Sequence, residues 1–179
     1  MLLYLYESTL FMKKYIDLYQ NIYKLLENRT PLMFDCGSLC NAACCQNNGK
    51  GMLLFPYEEQ YISSFNTDFR IEDSYIEIDG YTVKILFCNG ICDRSTRPIA
   101  CRIFPLFPFT YENRIIVDYD PRAKGTCPLL MTDLDGIYMG AVFRLMVQKA
   151  GLLLSDRPII KNYLLHMTQE LDILKAFKG

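Results

Sequence analysis

Histidine is almost absent from this chain, which has only His166. A nucleophile of the Ser-His-Asp or Cys-His kind needs a base beside it, and one histidine far in sequence from every cysteine cannot be argued into that role. Its expected role is structural and partly buried, next to an apolar stripe. A mixed Cys–His zinc set fits poorly for the same reason. The sequence also lacks CxxC pairs, and no GxGxxG or similar nucleotide loop follows an apolar run. No stretch approaches the roughly 20 apolar residues of a membrane span, and the tract from Ile137 to Val147 carries Arg144. The opening, MLLYLYESTLF, has no basic leader and soon meets Glu7, so no secretory signal is expected. A net charge of −1 with scattered Lys and Arg gives no nucleic-acid footprint. Neither nucleic acid nor membrane is therefore expected as a partner.

What the chain does have is cysteine in one region. All eight cysteines fall between residues 36 and 127, and four of them lie in CGSLCNAACC at 36–45. The others are Cys88, Cys92, Cys101 and Cys127. A cytoplasmic location is expected, and there thiols stay reduced. That weakens a disulfide reading of the even count, as does the adjacent pair Cys44–Cys45. Sulfur ligation excludes magnesium and calcium, which prefer oxygen, and leaves zinc or an iron–sulfur cluster, with four iron atoms as the expected type.

In chain order, residues 9–28 predict an amphipathic helix. Ser8 is its N-cap, and Phe11, Tyr15, Leu18, Tyr19, Ile22, Leu25 and Leu26 form its apolar face. Pro31 follows its end. Cys36, Cys40 and Cys44 recur every four residues, a spacing that aligns three sulfurs on one helical face, with Cys45 turned about 100° away. Residues 52–55 predict a buried extended run, and Pro56 opens a helix to about residue 65. Glu58 and Glu59 in its first turn are expected to compensate the helix dipole rather than to act as a catalytic pair. Residues 74–87 alternate like two strands around an Asp79-Gly80 hairpin, delivering Cys88 to a knuckle shared with Cys92.

Three prolines in residues 97–109 predict an extended, aromatic-lined segment around Cys101. Phe104, Phe107 and Phe109 would keep a site dry. Arg97 and Arg102 flank Cys101 and would offset the negative charge of four thiolates on a cluster or on zinc. Residues 114–117 predict a strand, followed by a loop to Cys127-Pro128. Helices are expected at about 132–149, ended by Gly151, and from Ser155 and Pro158 to about Phe177. The first would pack through Leu134, Ile137, Tyr138, Ala141, Leu145 and Met146. The second would pack through Ile159, Tyr163, Leu164, Met167, Leu171 and Leu174. The fold class is α+β. Residues 1–179 form a single domain, with N-terminal and C-terminal helices packed around a small antiparallel sheet and a cysteine-lined metal site.

The spacing CGSLCNAACC, then Cys88, Cys92, RPIACRIFP at 97–105 and Cys127 resembles a family of bacterial cysteine-cluster proteins described as zinc- or iron-chelating. That family carries an opening CxxCxxCC and a later RPxxCRxFP, and the resemblance covers about residues 33–130. The opening here, CxxxCxxxCC, is one residue looser at each gap, and the segment from Cys92 to Arg97 is one residue short. The family includes the cluster domain of flagellin lysine N-methylases. The resemblance implies metal ligation by Cys36, Cys40, Cys44, Cys45, Cys88, Cys92, Cys101 and Cys127, with Arg97, Pro98, Arg102 and Pro105 in the second motif. It also implies a cluster supporting methyl transfer to lysine on a protein substrate. A non-catalytic zinc-stabilised module and a small electron or metal carrier stay open beside it, and catalysis itself is undecided.

Overall fold

The computed structural model describes residues 2–32, 34–46, 51–65, 69–90, 93–130 and 140–178. Helix α1, Leu2–Leu25, starts earlier and ends earlier than periodicity suggested. Tyr15, Leu18, Tyr19, Ile22 and Leu26 are buried on one face, as their spacing requires, and Tyr23 joins them. Phe11 stays exposed at 45%. A single turn, α2 (Gly37–Cys40), and a 3-10 turn at Ala43–Cys45 follow. Strand β1, Met52–Leu53, leads to the short helix α3, Glu58–Ile62. Strands β2 (Arg70–Ile78) and β3 (Tyr81–Phe87) form the expected hairpin, with Asp79 and Gly80 both at positive φ. The three-stranded antiparallel sheet has the order β1-β3-β2.

The proline-rich segment corrects its expectation. It holds a helix, α4 (Ile99–Ile103), and then strand β4 (Leu106–Tyr111), which pairs antiparallel with β5 (Arg114–Tyr119). The three prolines permit this by position. Pro98 stands at the N-cap of α4, where a missing N–H costs nothing, and Pro108 lies in a two-stranded ribbon with a free edge.

Helices α5 (Ala141–Ser155) and α6 (Pro158–Lys178) follow. Gly151 lies inside α5 instead of ending it. A Cβ there would stand 2.6 Å from Pro108 Cβ and 2.9 Å from Ile115 Cγ2, so glycine lets α5 close onto the β4–β5 ribbon. The buried face of α5 is Phe143, Val147, Ala150 and Leu154, while Leu145 is exposed. Leu134, Ile137 and Tyr138 lie outside the described residues. On α6 the predicted stripe holds, with Tyr163, Leu164, Met167 and Leu171 buried. One apolar cluster joins α1, α5, α6 and both sheets, so the architecture is α+β, as the sequence predicts. Among the described residues no helix is long and apolar enough to cross a membrane.

Candidate metal centre

The cysteine-rich stretch folds as two turns with a break between them. Asn41 and Ala42 both adopt φ +50°, the left-handed region, which interrupts the helix that a four-residue repeat would otherwise continue. The Ala42 N–H donates to Gly37 O at 2.9 Å, and the Cys45 N–H donates to Ala42 O at 2.7 Å. Through this break Cys36, Cys40 and Cys44 still face one cavity of about 440 Å³. Cys127 enters the same wall from the far end of the chain's cysteine region. The rest of the lining is Leu32, Phe34, Leu39, Phe104, Pro105, Thr126, Pro128 and Leu129. Among the described residues no carboxylate lines it, so the donor set there is soft sulfur in apolar surroundings, suited to zinc or iron–sulfur and unsuited to hard cations.

The thiols feel one another. Burial pushes the Cys36 thiol up, and nearby Cys40, Asp35 and Cys127 push it further. Burial likewise raises Cys127, while the Leu129 N–H opposes the shift. The hydrogen bond between Cys44 and Cys45 lowers Cys44 and raises Cys45. The Cys40 thiol donates to Cys36 O at 3.6 Å. No disulfide joins the described cysteines.

The other predicted ligands are placed differently. Cys101, on α4, lies within electrostatic reach of Cys44 but does not line the cavity. Cys45 stands apart from the cavity lining, in the field of Arg97. Its carbonyl lies 3.1 Å from where a Cβ on Gly90 would stand, so the 36–45 turn packs against the knuckle after β3. Cys88 packs against the apolar core. Cys92 lies outside the described residues. Among the described residues, no group of three or more His, Cys, Asp or Glu side chains converges as the ligands of a single ion would.

Of the two predicted cationic partners, Arg97 stands near Cys45 and Arg102 is turned into the protein. Arg102 is 4% exposed and donates to the carbonyls of Arg97, Ser95 and Tyr23. The cation nearest the cavity thiols in charge effect is Arg94, which sequence reasoning passed over. It lowers Cys36, stands 3.9 Å from Asp35, and donates to Glu27 O and Arg29 O. Its three-residue separation from Arg97 was the available signal.

Glu58 and Glu59 stand in the first turn of α3, as expected, but both are buried. Glu58 is fully buried and accepts from Tyr23 Oη, Phe55 N and Ile99 N. Glu59, 7% exposed, accepts from Tyr81 Oη at 2.8 Å. Both carboxylates join elements in the core, which is more than compensating a helix dipole. His166 lies half-buried along a groove beside α6. Compared with known proteins, the chain matches no family model, no curated protein and no solved structure.

Proposed function

We propose that this protein binds metal as an iron–sulfur cluster in the cavity walled by Cys36, Cys40, Cys44 and Cys127. The observation that carries the reading is one apolar cavity lined, among the described residues, by four thiols from two distant segments and by no carboxylate. The cysteine spacing, with its resemblance to the chelating cysteine-cluster family, supports the same reading. A single zinc draws four sulfurs to about 2.3 Å from one point. Thiols spread around a cavity suit several metal atoms better than one.

A cluster would supply one-electron transfer at a potential set by burial and hydrogen bonding to sulfur. The chain's own part is to hold the sulfurs, to surround them on one side with the apolar Phe104, Pro105 and Leu129, and to place Arg94 near the negative charge. Methyl transfer to a protein lysine, which the resemblance implies, would need a small-molecule donor beside the cluster.

A second reading, an electron carrier, is favoured by the cavity's rim. Phe34 and Leu39 are 54% and 65% exposed there, and Cys44 is exposed beside them. A site open to a docking partner suits transfer. The structural-zinc alternative finds less support, because the core of α1, α5, α6 and the sheets closes without the cysteines as its main contents.

The test is iron, zinc and acid-labile sulfide analysis of anaerobically purified protein, with an absorption spectrum. Iron with matching sulfide is expected, and it should fall in Cys36→Ala and Cys127→Ala. Stoichiometric zinc without iron, or no metal at all, would overturn the cluster reading.

A further inference from the structure

A second cavity, of about 700 Å³, is lined by all three strands of the β1-β3-β2 sheet, by α4 and by the start of β4. Its apolar wall includes Leu53, Ile85, Phe87, Ile103 and Phe107. Among the described residues no cysteine lines it, so nothing about it depends on metal. The volume falls within the range of small-molecule sites, which are mostly apolar with a few fixed polar groups. Here the fixed polar group is Arg122, which the 3-10 turn Pro121–Ala123 brings to the cavity just after β5. Asp120 caps that turn by accepting from Arg122 N at 2.8 Å. The same carboxylate, on a residue 3% exposed, accepts from Arg122 Nε at 2.9 and 3.1 Å and from Nη2 at 2.6 Å. One edge of the guanidinium is therefore locked in place. Nη1 makes no hydrogen bond among the described residues, and the side chain is 37% exposed. Two hydroxyls stand nearby in the lining. Ser74 Oγ accepts from Ile76 N at 3.1 Å, which leaves its O–H to donate, and Tyr75 is 95% exposed. The acids of the lining are already engaged: Asp120 with Arg122, Glu72 with Arg70 and Asp73 with Lys84. Open donors beside engaged acceptors suit an anionic ligand better than a cationic one.

We propose that this cavity binds a small organic acid, with its carboxylate on Arg122 and Ser74 and its aromatic or branched apolar body against Ile85, Phe87 and Phe107. Asp120 offsets much of the arginine's charge, so recognition rests on directed N–H groups held in one orientation. Phe104 lines this cavity and the thiol cavity alike, which places the bound acid beside the cysteine site. The proposal stands whether or not the thiols hold metal.

The test is an amide NMR titration of the full chain with hydrocinnamate and with its neutral amide, hydrocinnamamide. Hydrocinnamate should shift resonances in residues 51–53, 72–75, 85–87, 100–107 and 120–122, with α5 as the internal control. It should bind more tightly than the amide by roughly 10-fold, the worth of a hydrogen bond to a charged group. R122K keeps a charge beside Asp120 but loses the planar fork. It should weaken the acid by roughly 10-fold and change the amide little. Equal affinity for acid and amide would overturn the proposal, as would undiminished acid binding in R122K. Shifts confined to residues of the thiol cavity, or no shifts at millimolar acid, would also overturn it. If R122K fails to fold, the acid–amide difference in wild-type protein and its loss in S74A decide the matter by the same titration.

Discussion

Glu58 has no exposed surface and pairs with three donors, yet burial pushes its carboxyl from 4.5 up to about 7. The N–H groups of Ile99 and Phe55, the Tyr23 hydroxyl and Arg102 pull the other way and do not fully offset the desolvation. Between these values the folded protein holds a proton that the unfolded chain has released. Stability from this group is therefore complete below pH 4.5 and is lost as pH rises through 7, an effect on the order of 3 kcal/mol. Urea unfolding across that window should show wild-type stability falling with pH, and Glu58→Gln should flatten the slope. A wild-type curve with no such fall would refute the assignment. Cysteine exposure makes a second prediction at this scale. Cys44 is exposed and Cys127 is buried, so brief alkylation of metal-free protein should label Cys44 first. Mass spectrometry of the digested protein would read the order, and prior labelling of Cys127 would contradict it.

At the scale of elements, α5 shows how a single glycine sets a packing distance. In an ordinary exposed helix Gly→Ala gains roughly 1 kcal/mol from propensity. At Gly151 the added methyl would meet Pro108 at 2.6 Å, against a ribbon whose backbone cannot give easily. The sign should reverse, with Gly151→Ala destabilising the protein by roughly 1–3 kcal/mol. Denaturant midpoints measure this directly, and a stabilised variant would mean that α5 shifts freely on the ribbon. The same logic governs the 36–45 turn. Its left-handed residues Asn41 and Ala42 cost backbone energy that a regular helix would not. In return, Cys45 turns away while Cys36, Cys40 and Cys44 stay on one wall.

For the whole molecule, the buried cluster runs through α1, α5, α6 and both sheets and contains none of the 36–45 residues. Metal removal should therefore leave the secondary structure folded. Bound metal should still add stability by mass action, about 2.7 kcal/mol at a free concentration 100 times Kd. For a chain of 179 residues that corresponds to roughly 5–10 °C in Tm. Circular dichroism before and after chelation checks both parts, and complete unfolding on chelation would return the structural-zinc reading.

Periodicity and local chemistry by themselves determined the α1 face, the Asp79-Gly80 hairpin, the α6 stripe and the α+β class, because these depend on spacing within one segment. The gathering of Cys36, Cys40 and Cys44 on one wall was legible for the same reason, since it follows from their four-residue spacing. Tertiary contact decided the rest. Whether Pro98 starts a helix depended on Glu58, forty residues away, accepting the Ile99 N–H. Whether Gly151 ended a helix or thinned one depended on Pro108 across the interface. The direction of Arg102 was decided by carbonyls at residues 23, 95 and 97, which no local pattern announces. Buried polar groups must find partners wherever the fold supplies them, and that requirement becomes visible only when distant segments meet.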